Sequence, residues 1–271
     1  GALGEHQVTV VPGFYGYGES GKIRTFSRGG SDYTGAVIAG ALEADLYKNY
    51  TDTDGIRVVE PSIDEDAYVL RTMTHREVTE LTLGGAFGIL QYESTIPLAQ
   101  GGIATQVLNT FDPHSRGTRI NGVYDRHYPV AGIVHRGEFT AFKVVKYGIA
   151  NDIGVLVSVL DLFKNAGVSI EHVLTSTNGI SVIVRKQNIE GKGIDAQQIG
   201  REIGQSEVRR DDLSTVAIVG EGMSQAVGLG KRIFSAVAEA GVNIFGVSHT
   251  DITTILWFQN GDAERAALSV Y

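Results

Sequence analysis

An internal repeat limits the architecture of this chain more than any other feature. The stretch NDIGVLVSVLDLFKNAGVSIEHV (151–173) aligns with QAVGLGKRIFSAVAEAGVNIFGV (225–247) at a shift of 74 residues. Gly154 falls on Gly228, Ala166-Gly167-Val168 on Ala240-Gly241-Val242, Ile170 on Ile244 and Val173 on Val247. Each copy reads as a loop, an amphipathic helix stopped by glycine, and a strand. Strands also precede the helices, FTAFKVV (139–145) and STVAIVG (214–220), and further strands follow, ISVIVR (180–185) and TTILWF (253–258). The first copy continues into a second helix near 195–204, and the second reaches its last helix as the chain ends at Tyr271. This β-α-β-β-α order is the skeleton of a ferredoxin-like module. Residues 130–207 and 208–271 are therefore expected to form two such modules, with the 130–136 strand open to sharing.

The preceding 125 residues follow a different rule. QVTVVPGF (7–14) is an apolar, β-branched run that predicts a buried strand ending at Pro12-Gly13. Residues 32–44 (DYTGAVIAGALEA) predict a helix apolar nearly all round, hence buried. DLYKNYTD (45–52) and IATQVLNT (103–110) read as strands, and DPHSRGT (112–118) as a turn. Thr74 and Glu77 form a T-x-x-E capping box ahead of a helix. Such alternation implies an α/β layered sheet, whose ligands sit at the carboxyl ends of the strands. Phe14 and the 52–55 turn both fall at such ends.

Composition narrows the function. No apolar run approaches the ~18 residues of a membrane span, and no signal peptide is visible. The net charge of −8 argues against nucleic acid or an anionic membrane as partner, because counterion release needs clustered Lys and Arg. With no cysteine, disulfides and thiolate metal sites are excluded, which suits a cytoplasmic location. The seven histidines lack any metal-ligand spacing, so no structural metal is expected. A small-molecule function remains.

Two stretches carry chemistry. In FSRGGSD (26–32) the glycines let backbone approach a ligand, the helix start favours an anion, and Arg28 offers a charged fork. Read alone, the same stretch is equally a tight turn capped by Ser31 or Asp32. TDTDG (51–55) fails as a calcium loop, since its first and twelfth positions would be Tyr50 and Pro61. A hydroxyl and two carboxylates at a strand end suit a ribose or a magnesium-bound phosphate, or simply an Asx turn.

In order, VPGFYG (11–16), TFSRGGSDYTGAVIAGALEAD (25–45), YTDTDGI (50–56), THREVTEL (74–81) and NTFDPHSRGTRI (109–120), followed by two ACT-like modules, resemble an aspartate kinase. The resemblance runs through essentially the whole chain. It implies the carboxyl-terminal part of an amino-acid-kinase α/β/α domain in residues 1–125, then two ACT modules. It also implies phosphoryl transfer from MgATP to the side chain of L-aspartate, the first step of lysine, threonine and methionine biosynthesis. By that resemblance Phe14, Arg28, Ser31 and Asp32 surround the amino acid, with Arg28 on a carboxylate and Asp32 on the α-ammonium. Gly29 and Gly30 would present backbone N–H groups to the reacting carboxylate or phosphate. Thr51, Asp52 and Asp54 fall at the nucleotide.

Departures from the family pattern matter too. TDTDGIRVVEPS places Arg57 and Ser62 where relatives carry tyrosine and arginine, and Phe87 where many carry lysine. Arg57 is then a candidate phosphate partner or a solvated arginine. The family's lysine-bearing K-F-G-G strand motif does not occur in residues 1–271, so these residues alone are expected not to phosphorylate aspartate. ACT modules of family kinases answer to lysine or threonine, often across a subunit interface, implying a homo-oligomer. The matching effector positions are Asn151, Asp152, Ile153, Gly154, Ile170 and Glu171, with Glu171 either taking an ammonium group or merely exposed. Alternative readings are a non-catalytic regulatory subunit or pseudokinase that binds an effector, and a stand-alone amino-acid-binding module.

Overall fold

The computed structural model describes residues 7–26, 29–82, 90–124, 127–152, 154–204, 207–259 and 261–271. The chain divides into two compact units, Gly1–Gly132 with Val219–Gln225, and Ile133–Ile218 with Ala226–Tyr271. Among the described residues no helix is long and apolar enough to cross a membrane.

The first unit contains, in chain order, β1 (Tyr15–Tyr17), β2 (Ile23–Thr25), α1 (Gly30–Ala41), β3 (Tyr47–Thr51), β4 (Thr72–Thr74), α2 (His75–Thr82), α3 (Tyr92–Gln100), β5 (Thr105–Asn109) and β6 (Thr118–Asn121). Strands β1 and β2 form an antiparallel hairpin. The other four make a sheet in the order β3-β5-β6-β4. It is mixed: β3 runs parallel to β5 and β4 parallel to β6, while β5 and β6 are antiparallel. Helix α1 packs on α3 through Ala36, Ala39, Leu98 and Ile103.

Two expectations are corrected here. Residues 7–13 form no strand, and Val8 and Val10 are 81% and 88% exposed. No described strand pairs with that run, so its β-branched residues have no sheet to stabilise them. Phe14 therefore precedes a hairpin rather than ending a sheet strand. Helix α1 is also not buried all round: it buries Gly30, Ala36 and Ala39, while Val37 and Leu42 face solvent. Its small residues admit α3, a helix absent from the sequence expectations because Pro97 lies inside it.

The capping box forms as its spacing requires. The Glu77 N–H donates to Thr74 Oγ1 at 3.1 Å and the Thr74 N–H to Glu77 Oε2 at 2.9 Å. Glu77 is fully buried, and its Oε1 accepts the Glu221 N–H at 2.9 Å. The Glu221 carboxylate in turn accepts from Thr74 Oγ1 at 3.2 Å and pairs with Arg76 at 3.2 Å.

The second unit holds β7 (Gly132–Val145), α4 (Val155–Asn165), β8 (His172–Ser176), β9 (Gly179–Arg185), α5 (Lys186–Ile189), α6 (Ala196–Ile203), β10 (Glu207–Val219), α7 (Leu229–Glu239), β11 (Ile244–His249), β12 (Thr253–Gln259) and α8 (Ala263–Val270). The repeat is visible atom by atom. Helices α4 and α7 begin at Gly154 and Gly228, and each ends in the same pair of bonds. Gly167 and Val168 donate to the carbonyls of Lys164 and Phe163; Gly241 and Val242 donate to those of Ala238 and Val237. The six strands form one sheet, β11-β12-β10-β7-β9-β8. Read from either end the order is the same, β8-β9-β7 mirrored by β11-β12-β10. Each module has three strands of its own, and β7 and β10 each serve as the fourth strand of the other module. The two modules thus fold as a single unit, with a core of Phe139, Ala141 and Ile183 from one and Leu213 and Trp257 from the other.

Replacing Glu77 with alanine strands the Thr74 and Glu221 amides, while the backbone N–H at 77 keeps its bond to Thr74 Oγ1. It should lower unfolding free energy by about 2–4 kcal/mol, from two lost charge-assisted bonds. Equilibrium urea denaturation measures this, and a loss below about 1 kcal/mol would contradict the assigned role.

Candidate functional site

The site is built at the start of α1 and the carboxyl ends of β3 and β5. Gly29 is the N-cap residue of α1, with φ 85° and no side-chain cap. A Cβ there would lie 1.9 Å from Gln91 Cγ, so the position has room only for glycine. Neither Ser31 nor Asp32 is the cap; both lie in the first turn of the helix, Ser31 exposed and Asp32 half-buried. Ser27 and Arg28 lie outside the described residues.

Phe14 is fixed against this turn. Its φ is 76°, its N–H donates to Thr34 Oγ1 at 3.2 Å, and its carbonyl accepts the Phe26 N–H at 3.0 Å. Thr34 Oγ1 donates to the Gly30 carbonyl at 2.9 Å. Phe26 packs edge-on against Tyr33, with ring centroids 5.4 Å apart. Phe14, Gly29, Gly30 and Asp32 thus meet around one helix start.

Asp32 accepts from the Asn49 side-chain amide at 3.2 Å and from the Gln91 backbone amide. Burial raises its pKa above the ordinary carboxylate value, and these two hydrogen bonds oppose the rise. Tyr47 is raised chiefly by burial and further by the charge of Asp32, against the opposing effect of its contact with Asn49. No sequence motif singled out Tyr47, Asn49 or Gln91. The available signal was an asparagine at the centre of a strand, a residue depleted there, and Asn49 is only 7% exposed.

The second cluster lies at the ends of the parallel neighbours β3 and β5, where Thr51 is paired with Asn109. Thr51 Oγ1 donates to Asp52 at 3.2 Å, and the Asn109 amide donates to Asp54 at 2.7 Å. The Ser115 hydroxyl reaches the Asp54 carbonyl at 3.5 Å. Gly55, at φ 123°, seats the turn on Thr118: a Cβ would lie 2.6 Å from Thr118 Oγ1, which itself accepts the Ile56 N–H at 2.8 Å. Arg57 is used differently from expectation. Its guanidinium donates to the carbonyls of Glu65 and Ala67, closing its own loop. Ser62 sits near Glu60 at 3.5 Å, and Phe87 lies outside the described residues.

In the second unit, the expected effector positions are spread over two ion pairs and a core contact. Asp152 pairs with Lys146 at 2.6 Å and Glu171 with Arg185 at 2.9 Å. The Glu171 carboxylate is thus engaged by Arg185, and an effector ammonium group there would share it with that guanidinium. Ile170 packs on the module core, Asn151 ends a short helical turn, Gly154 opens α4, and Ile153 lies outside the described residues. Among the described residues no histidine and carboxylate cluster is arranged to hold a metal ion.

Two family models match parts of the chain. The amino acid kinase family model matches residues 2–125, and an ACT domain model matches 216–271. Aspartokinase 3 of Bacillus subtilis is 31% identical over 268 residues, covering 97% of this chain and 59% of that protein. The aspartate kinase of Pseudomonas putida is 30% identical over 278 residues, covering 99% and 67%. The crystal structure of Clostridium acetobutylicum aspartate kinase superposes with a TM-score of 0.85 at 30% identity, over 99% of this chain and 64% of that one. The chain thus spans less than two thirds of the Bacillus and Clostridium proteins.

The raised pKa of Asp32 has a consequence for stability. The folded state holds a proton there that the unfolded chain has already released, so stability falls as pH rises from the ordinary carboxylate range through the folded value. Above that value the cost is complete. The variant Asp32→Asn should therefore gain on the parent protein as pH is raised from about 3 to about 7, the range spanning carboxylate ionisation. Thermal melts across that range measure the gap, and a constant gap would refute the desolvation of Asp32.

Proposed function

The chain belongs to the aspartate kinase family, and from that premise we propose that it serves phosphoryl transfer from MgATP to the side-chain carboxylate of L-aspartate, giving 4-phospho-L-aspartate. One observation carries this reading. Asn49, which holds Asp32, and Thr51, at the nucleotide end, alternate along β3 and so share one face of the strand. At about 3.3 Å per residue they stand roughly 7 Å apart, a spacing that lets an amino acid and a terminal phosphate meet between them.

Each group has a role set by its chemistry. The Asp32 carboxylate receives the α-ammonium group of the substrate, and the Arg28 guanidinium one of its carboxylates. Gly29 and Gly30 bring the first-turn amides of α1 close to the reacting oxygens, where the helix end favours negative charge. The Thr51 hydroxyl and the Asp52 and Asp54 carboxylates are a donor set that fits a ribose or a magnesium-bound phosphate. Magnesium, when bound, neutralises phosphate charge. With little covalent chemistry to perform, these residues act by positioning and by electrostatic stabilisation.

The paired ferredoxin-like modules supply feedback control by an amino acid, lysine or threonine. The mirror-symmetric sheet supports this reading, since an effector at either module acts on strands that both modules share.

Calorimetry on the chain with L-aspartate and with ADP separates the two ends of the site. Asp32→Asn should weaken L-aspartate binding by about tenfold or more, the value of a charge-assisted hydrogen bond, and leave ADP binding unchanged. Asp52→Ala should do the reverse. A chain that binds lysine or threonine but not L-aspartate would establish the non-catalytic regulatory reading instead. Glu171→Ala should weaken binding of the effector amino acid, and unchanged binding removes Glu171 from the effector site.

A further inference from the structure

Asp32 is held by a side chain that the functional reading does not itself require. Asn49 stands in the middle of β3, 7% exposed, and its amide nitrogen lies 3.2 Å from Asp32 Oδ1 and 3.4 Å from the Tyr47 hydroxyl. A carboxylate only accepts hydrogen bonds, so the nitrogen rather than the oxygen of Asn49 must face Asp32. The ring of Tyr47 reaches this point because α1 carries glycine opposite it: a Cβ on Gly35 would lie 3.0 Å from the Tyr47 hydroxyl. The strand therefore presents a tyrosine and an asparagine, two residues apart on one face, to a single carboxylate on the helix.

We propose that Asn49 is a positioning residue for substrate recognition: its amide, steadied by the Tyr47 hydroxyl, fixes the Asp32 carboxylate in the orientation that receives the amino group of the substrate. The inference rests on the assignment of Asp32 to the α-ammonium group. The physical need is plain, because a half-buried carboxylate without donors would take up a proton and lose its charge. Among the described residues two donors offset its desolvation, the Gln91 backbone amide, which no side-chain substitution removes, and the Asn49 side chain. Asn49 is thus the adjustable one. Titratable neighbours are Tyr47 on β3 and, on the α3 side, Glu93, which lines a cleft of about 430 Å³ with Gly29, Gly30 and Tyr33.

The test follows the Asp32 side-chain carboxyl carbon by NMR in the whole chain, its signal assigned by its loss in Asp32→Asn. In Asn49→Leu, which keeps the volume and removes the donor, the Asp32 titration midpoint should move to higher pH. L-Aspartate affinity should fall about tenfold at neutral pH, the value of one hydrogen bond to a charged group. ADP affinity should hold. A merely structural asparagine would change the melting temperature and leave the Asp32 midpoint in place, and that result overturns the proposal. Should Asn49→Leu fail to fold, Asn49→Ala carries the same comparison with the same two outcomes. If Asp32→Asn leaves L-aspartate affinity unchanged, the assignment of Asp32 to the substrate fails by itself, while the midpoint in the Asn49 variants still decides whether Asn49 holds Asp32.

Discussion

The buried carboxylate of Glu77 is the contact on which the arrangement of the first unit depends. A carboxylate removed from water is costly unless each oxygen is engaged, and here one oxygen takes the Thr74 amide and the other the Glu221 amide. The first bond is local and starts a helix. The second spans 144 residues of sequence and fixes a short segment that lies between β10 and α7 in the chain. Residues 219–225 are in sequence part of the second ferredoxin-like copy, yet they pack with the kinase-like unit.

Strand β3 plays the corresponding part at the site. Its pleat sets Tyr47, Asn49 and Thr51 on one face, and its parallel register with β5 sets Thr51 beside Asn109. Helix α1 lies across that face with glycine at positions 29 and 35, where any larger residue would meet Gln91 or Tyr47. The Asp32 end and the Thr51 end of the candidate site are therefore spaced by strand geometry rather than by loop conformation. Loops decide only how each end is finished: the 52–55 turn by its seat on Thr118, and the helix start by the Phe14 backbone.

Much of this was legible in the sequence because the relevant signals are local. The capping box, the glycine stops of α4 and α7 and the short apolar strand runs of β9 and β12 depend on residues a few positions apart, and all are found where the sequence puts them. What escaped depends on contacts distant in sequence. The run at 7–13 has strand composition but finds no partner among the described residues, and composition cannot report a missing partner. Helix α3 carries Pro97 in its interior, a residue that argues against a helix in the sequence, and it is held by packing of α1 on Leu98. Arg57 was read as a phosphate partner or a solvated arginine, whereas the carbonyls of Glu65 and Ala67, eight and ten residues onward, claim its guanidinium. Asn49 was invisible for the same reason: its value lies wholly in Asp32, seventeen residues away and on a different element.

Local cost is carried at the start of α1, as it is at Glu43 and Glu138, which also hold positive φ. Phe14 holds a left-handed backbone conformation that costs a non-glycine residue about 1–2 kcal/mol. Close by, Asp32 and Tyr47 are both desolvated enough to resist ionisation. None of these would persist in a surface selected for stability alone, since a glycine at 14 and an asparagine at 32 would relieve two of them. They persist because Thr34, Phe26 and Asn49 hold them, so the strain is maintained by specific contacts rather than merely tolerated. The dry surroundings that penalise the lone Asp32 carboxylate also strengthen its attraction for a cation.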